Sequence, residues 1–171
     1  MALDARRLDI GVRPIAGTAV QSYREAMAKV RLTTILPLPP ERARELAAQP
    51  ETMRYVLAPY VTLAPGQELP DAVEEGLEAS ARMRLLGIPA WRHTIRVVRL
   101  TPDEIYTNEH GGPVRTWNHR LTFEPLPGGR CVYTDEIEVE DGPRGWPVRL
   151  FVELMFRHRH RRWQTFVRAV A

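Results

Sequence analysis

The chain has 171 residues, 44% hydrophobic and 26% charged, which is enough for one domain with a substantial core and too short for two comfortable ones. These proportions exclude a disordered chain, and no stretch reaches the run of about 18 apolar residues that marks a membrane span. The formal charge of +3 is modest and comes chiefly from Arg, so it does not by itself argue for a nucleic-acid partner. A single Cys excludes an intrachain disulfide, and the opening MALDARRLDIGVRP lacks the apolar run of a secretion signal. A reducing, cytoplasmic setting is the expectation.

Residues 1–28 read as an N-terminal extension draped on the domain. Pro14 and Gly17 interrupt any pattern there, although residues 19–28 have the composition of a short helix. The domain proper is expected over 29–171. Its first strand, residues 29–37, alternates Val30, Leu32, Thr34 and Leu36 with Arg31 and Thr33. Pro39 and Pro40 end it, and Pro40 suits the first turn of a helix reaching residue 48, because its missing N–H would be unbonded there anyway. A second short helix is expected over 50–57, and a brief strand over 60–63.

The segment 73–86 carries two competing patterns. Its Glu, Ala, Arg, Met and Leu favour a helix by propensity. Yet Leu77, Ala79, Ala81, Met83 and Leu85 alternate strictly with Glu78, Ser80, Arg82 and Arg84, and sustained period-two alternation outweighs propensity. A strand after Gly76 is therefore expected. Gly87, Ile88 and Pro89 turn the chain into another alternating run, with Trp91, His93, Ile95 and Val97 on one side. A tight turn at 101–103 leads to a strand at 104–110, where Ile105, Thr107 and Glu109 share a face.

The most informative stretch is GGPVRTWNHRLTFEPLPGGRCVYTDEIEVE, residues 111–140. Trp117, His119, Leu121 and Phe123 share one face of its first run, since side chains of a strand alternate. Pro127, Gly128 and Gly129 supply a hairpin turn. In the second run Cys131, Tyr133, Asp135, Ile137 and Val139 oppose Thr134, Glu136, Glu138 and Glu140. A face mixing Trp, His, Tyr and Asp with aliphatic residues suits a cavity wall better than a plain core. Strands joined this closely form an antiparallel meander. The chain closes with a helix over 146–170, whose Val152, Phe156, His160, Trp163, Val167 and Val170 recur at steps of three and four.

This order, and the words GIPAWRHTI (87–95), GGPVRTWNHRLTFEPLPGG (111–129), YTDEIEVE (133–140) and FRHRHRRW (156–163), resembles a bacterial branch of the START-like superfamily. That superfamily, also called SRPBCC, includes the birch-pollen-allergen fold and the polyketide cyclase/dehydrase group. The resemblance covers roughly residues 29–170. It implies an α+β helix-grip domain: a seven-stranded antiparallel sheet wrapped around a long C-terminal helix, two short helices after the first strand, and an apolar pocket. Members of the branch read W-x-H-x-H-x-F in the hairpin, where this chain has Leu121 in place of the second His. A role needing two imidazoles at that place is not implied.

On these assignments His93, Glu109, His119, Tyr133 and Asp135 face the space between sheet and helix. Buried carboxylates need partners, so Glu109 and Asp135 are expected to pair with His, Arg or Tyr. Two roles stay open for the cluster: a satisfied structural network, or a catalytic one in which His119, with Asp135 or Glu109, positions or deprotonates a carbonyl ligand as in a polyketide cyclase or aromatase. The contact area of a small, largely apolar or amphipathic ligand would come from Trp91, Ile95, Trp117, Leu121, Tyr133, Phe156 and Trp163, with His93, Glu109, His119 and Asp135 orienting its polar end. No cofactor motif is present. No metal site is expected, because no two His have the four-residue helical spacing of a zinc pair. Arg157, Arg159, Arg161 and Arg162 read as a solvated helix face, with Glu136, Glu138 and Glu140 as available partners.

Overall fold

The structure, a computed structural model, describes residues 27–112, 114–140 and 145–170. Seven strands form one antiparallel sheet. In chain order they are β1 (Met27–Leu36), β2 (Val61–Leu63), β3 (Glu78–Leu85), β4 (Ile88–Leu100), β5 (Glu104–Gly111), β6 (Val114–Leu126) and β7 (Arg130–Glu140). Their spatial order is β1-β7-β6-β5-β4-β3-β2, a meander in which β1 crosses over to pair with β7. Helices α1 (Pro40–Ala47) and α2 (Pro50–Leu57) follow β1, and α3 (Gly145–Val170) closes the chain. This is the expected α+β helix-grip arrangement.

Local chemistry explains the boundaries. Each short helix has Pro at its start and a Glu in its first turn, where the helix dipole favours negative charge. Alternation prevails over propensity in β3, whose Ala81 and Met83 are buried while Glu78 and Arg82 are exposed. Leu85 pairs with Ile88, so the β3–β4 turn consists of Leu86 and Gly87, both at positive φ, the pair a tight hairpin demands. Strand β4 thus begins at Ile88, before the expected turn residues are finished, and Pro89 sits at a register shift. The Pro127, Gly128 and Gly129 turn joins β6 to β7 as expected.

The inner sheet face and α3 share the core. Val148, Val152, Phe156, His160, Trp163 and Val167 of α3 are buried, a stripe with steps of three and four residues. Val170, expected on that stripe, is 45% exposed as the last residue of α3, with no further turn to cover it. One cluster joins Leu36, Leu121, Phe123, Tyr133 and Trp163 to α1 and α2, and another joins Val30, Trp117, Ile137 and Val139 to the first half of α3. The helix expected over 19–28 falls outside the described residues up to residue 26; Met27 and Ala28 belong to β1. Among the described residues no helix is long and apolar enough to cross a membrane.

Candidate functional site: a cavity with one ionised wall

Between the inner sheet face and α3 lies a cavity of about 200 Å³. Most of its lining is apolar: Leu57, Val61, Leu77, Ala81 and Met83, with Met53 from α2 and Phe151 and Met155 from α3. Trp91, Ile95, Trp117, Leu121 and Phe156 also line it, as do the polar side chains of His93, Glu109 and His119. Tyr133, Asp135 and Trp163 do not. They sit behind that wall, fully or almost fully buried, with Trp163 against Tyr133 and Phe166.

The polar side chains form one continuous row across four strands and α3. His93 on β4 lies 2.8 Å from Glu109 on β5, Nε2 to Oε2. Thr107 donates to the other Glu109 oxygen at 2.6 Å, and His119 Nδ1 on β6 approaches that oxygen at 3.5 Å. His119 Nε2 in turn lies 2.7 Å from Asp135 Oδ1 on β7. The second Asp135 oxygen faces α3, with Arg159 Nε at 3.2 Å and His160 Nε2 at 3.0 Å, ion-pairing distances without the alignment of good hydrogen bonds. Arg159 Nη2 also donates to the Tyr133 hydroxyl at 3.3 Å.

Sheet register explains why these residues meet. Ile95 pairs with Glu109, Thr107 with His119, and Leu121 with Asp135. Each His–carboxylate contact between strands therefore joins a residue to one two positions away from its direct opposite, the diagonal neighbours that longer side chains reach.

The row is ionised. Burial opposes charge on Glu109, but hydrogen bonds from His119 and His93 outweigh it and hold the carboxyl well below the usual range. Burial likewise opposes charge on Asp135, and Arg159 and His119 overcome it, so Asp135 also stays ionised. The imidazole of His119 resists protonation through burial, yet Asp135 and Glu109 raise its pKa above the ordinary value. The Tyr133 hydroxyl is pushed up, chiefly by burial, and stays protonated. Ionised carboxylates only accept hydrogen bonds, so both ring nitrogens of His119 are directed at acceptors.

Two readings of the helix change. Arg159 is inside the domain, its side chain only 12% exposed. Arg162 also packs inward: its Nε and Nη2 donate to the Tyr55 carbonyl at 3.2 and 3.1 Å, and its guanidinium lies 3.8 Å over the Tyr55 ring. The expected basic face is thus divided, and only Arg157 and Arg161 of the four are exposed. Nor do Glu136 and Glu138 serve it, since both pair with Lys29 on β1, and the Glu140 side chain lies outside what the structure describes. Cys131 is fully buried, does not line the cavity, and has its thiol pushed up to about 11 by burial and by Glu41, as befits a core hydrophobe. Among the described residues no group of His, Cys, Asp and Glu is arranged to hold a metal ion.

Solved structures share this architecture at low sequence identity. A START superfamily protein from Mycobacterium smegmatis superposes with a TM-score of 0.63 at 14% identity, over 84% of this chain and 99% of that one. Ara h 8.0201 gives 0.62 at 12% identity, again over 84% and 99%. DynU16, from the dynemicin biosynthetic locus, gives 0.54 at 14% identity, over 82% of this chain and 47% of its own. No curated protein matches the sequence. The fold is that of the START-like superfamily. A family model described as a domain of unknown function, DUF8410, matches residues 34–166, and the chain belongs to that family.

Proposed function

We propose that this domain binds a small, largely apolar molecule in the cavity between sheet and α3, in a cytoplasmic setting, with the polar end of the ligand against the ionised wall. The observation that carries this reading is the lining: aliphatic, thioether and aromatic side chains surround the space, with the charged groups gathered at one wall. Apolar cavities with a few convergent polar groups are the usual form of small-molecule sites. Trp91, Ile95, Trp117, Leu121 and Phe156 supply contact area, and His93, Glu109 and His119 form part of the polar wall. Tyr133, Asp135 and Trp163 act from behind, holding that wall in place.

A polyketide cyclase-like enzyme is the second reading, suggested by the sharing of this fold with DynU16, a protein of a biosynthetic locus. It gives His119 the part of base toward a bound carbonyl compound, with Asp135 behind it. Both His119 nitrogens already face carboxylates, which supports the binding reading over this one. Native mass spectrometry of the purified protein, followed by extraction of any retained compound, tests the proposal. A defined apolar molecule at one per chain is expected. No retained compound, and no thermal shift with lipids, flavonoids or polyketides, would count against it.

A further inference from the structure

The hydrogen-bonding capacity left over at the charged wall is unbalanced. Both oxygens of Glu109 are engaged, by His93 on one side and by Thr107 and His119 on the other. Both oxygens of Asp135 face cations or imidazoles. Donors, by contrast, are to spare. Arg159 lines the cavity and commits Nε to Asp135 and Nη2 to Tyr133, while its Nη1 carries no hydrogen bond among the described residues. Trp91 and Trp117 line the same cavity, and their buried indole N–H groups have no hydrogen-bond partner among the described residues. His93 Nδ1 also has no partner among the described residues and, with Nε2 donating to Glu109, can accept. The spare donors outnumber it, so a ligand that meets this wall at Arg159 brings an acceptor.

The charge of the wall narrows the chemistry. Glu109 and Asp135 stand at ion-pairing distances from His93, His119, His160 and the Arg159 guanidinium, so each carboxylate of the row already has its own partners. A ligand carboxylate would add an unbalanced negative charge beside Glu109, and a ligand ammonium would add a positive one beside Arg159. Burying an uncompensated charge costs far more than a hydrogen bond returns. An uncharged oxygen acceptor avoids that cost and still gains a charge-assisted bond from the guanidinium.

We propose that the cavity selects uncharged, apolar ligands bearing a carbonyl oxygen, which accepts a hydrogen bond from Arg159 Nη1. This deepens the ligand-binding reading above and rests on it. The size suits a compact skeleton, because an apolar cavity of about 150 Å³ holds a benzene ring and this one has about 200 Å³.

The test uses the unaltered protein and four compounds on one skeleton: acetylnaphthalene, ethylnaphthalene, naphthoate and naphthylmethylamine, titrated calorimetrically at neutral pH. Acetylnaphthalene is expected to bind about tenfold or more tightly than each of the others, the share of one charge-assisted hydrogen bond. Isotope-edited infrared spectroscopy of its labelled carbonyl should show a stretch below that in hexane. Arg159→Lys retains the positive charge beside Asp135 and should erase the preference for the ketone over the hydrocarbon. Equal binding of ketone and hydrocarbon, tighter binding of naphthoate or the amine, or a carbonyl stretch as in hexane would overturn the head-group proposal while leaving apolar ligand binding intact. Failure of all four to bind would overturn both.

Discussion

Arg159 on α3 and Asp135 on β7 lie 3.2 Å apart, Nε to Oδ2, and this contact ties the long helix to the sheet one strand in from its β1 edge, through charge as well as packing. Asp135 is fully buried and also faces His119 and His160. Asp135→Asn keeps the size of the side chain but leaves the guanidinium without its counter-charge. The expected loss is about 3–5 kcal/mol, the range for breaking a buried ion pair from one side. Urea denaturation measures it, and a loss below about 1 kcal/mol would place the pair with the weak surface bridges instead.

The same row sets a pH window for stability. His119 has its folded pKa raised above the ordinary 6.5, so its contribution is complete below pH 6.5 and disappears as pH rises through the folded value. Glu109 and Asp135 have theirs lowered from 4.5 and 3.8, so their contributions are complete above pH 4.5 and disappear as pH falls through the folded values. Urea midpoints should therefore peak between those limits and decline on both sides. In His119→Gln the alkaline decline should vanish while the acid decline persists. An unchanged alkaline limb would assign that titration to another group.

Ala81 lines the cavity from β3 and is itself buried. Ala81→Leu puts extra carbon into the ligand space rather than into a filled core. Thermal stability should hold or rise by up to about 2 kcal/mol, as cavity-filling changes commonly do. Uptake of the native ligand should fall sharply. Retained uptake with unaltered stability would mean that the ligand lies elsewhere.

Much of this geometry was legible in the sequence because strands expose their pairing through alternation. The inward set Trp117, His119, Leu121, Phe123, Tyr133 and Asp135 follows from period two alone, and all six are buried. Arg159 was not legible in the same way. Four arginines within six residues look like a wet surface, and only phase separates them: Phe156, Arg159, His160 and Trp163 fall at the three- and four-residue steps of a single helix face. That signal was present, but a charged residue on an apolar stripe is ordinarily assigned to its edge. The roles of Tyr133, Asp135 and Trp163 were hidden for another reason. Alternation says which way a side chain points, not whether an empty space or another side chain lies in front of it. The contributions of Met53 from α2 and of Phe151 and Met155 from the flank of α3 depend on how helix and sheet approach each other.

The diagonal row of ionised side chains also bears on how the strands find their partners. A slip by one residue turns every inward side chain out to solvent, so the apolar pattern forbids it. A slip by two residues does not: apolar groups remain inside, and hydrophobic burial alone discriminates poorly against it. His93, Glu109, His119 and Asp135 occur once each on four successive strands and make contact only along their native diagonal. Moving β5 or β6 by two places in either direction would carry Glu109 or His119 away from one of its two partners. The charged wall thus acts as an alignment key for the sheet, rejecting the mispaired arrangements that alternation by itself would tolerate.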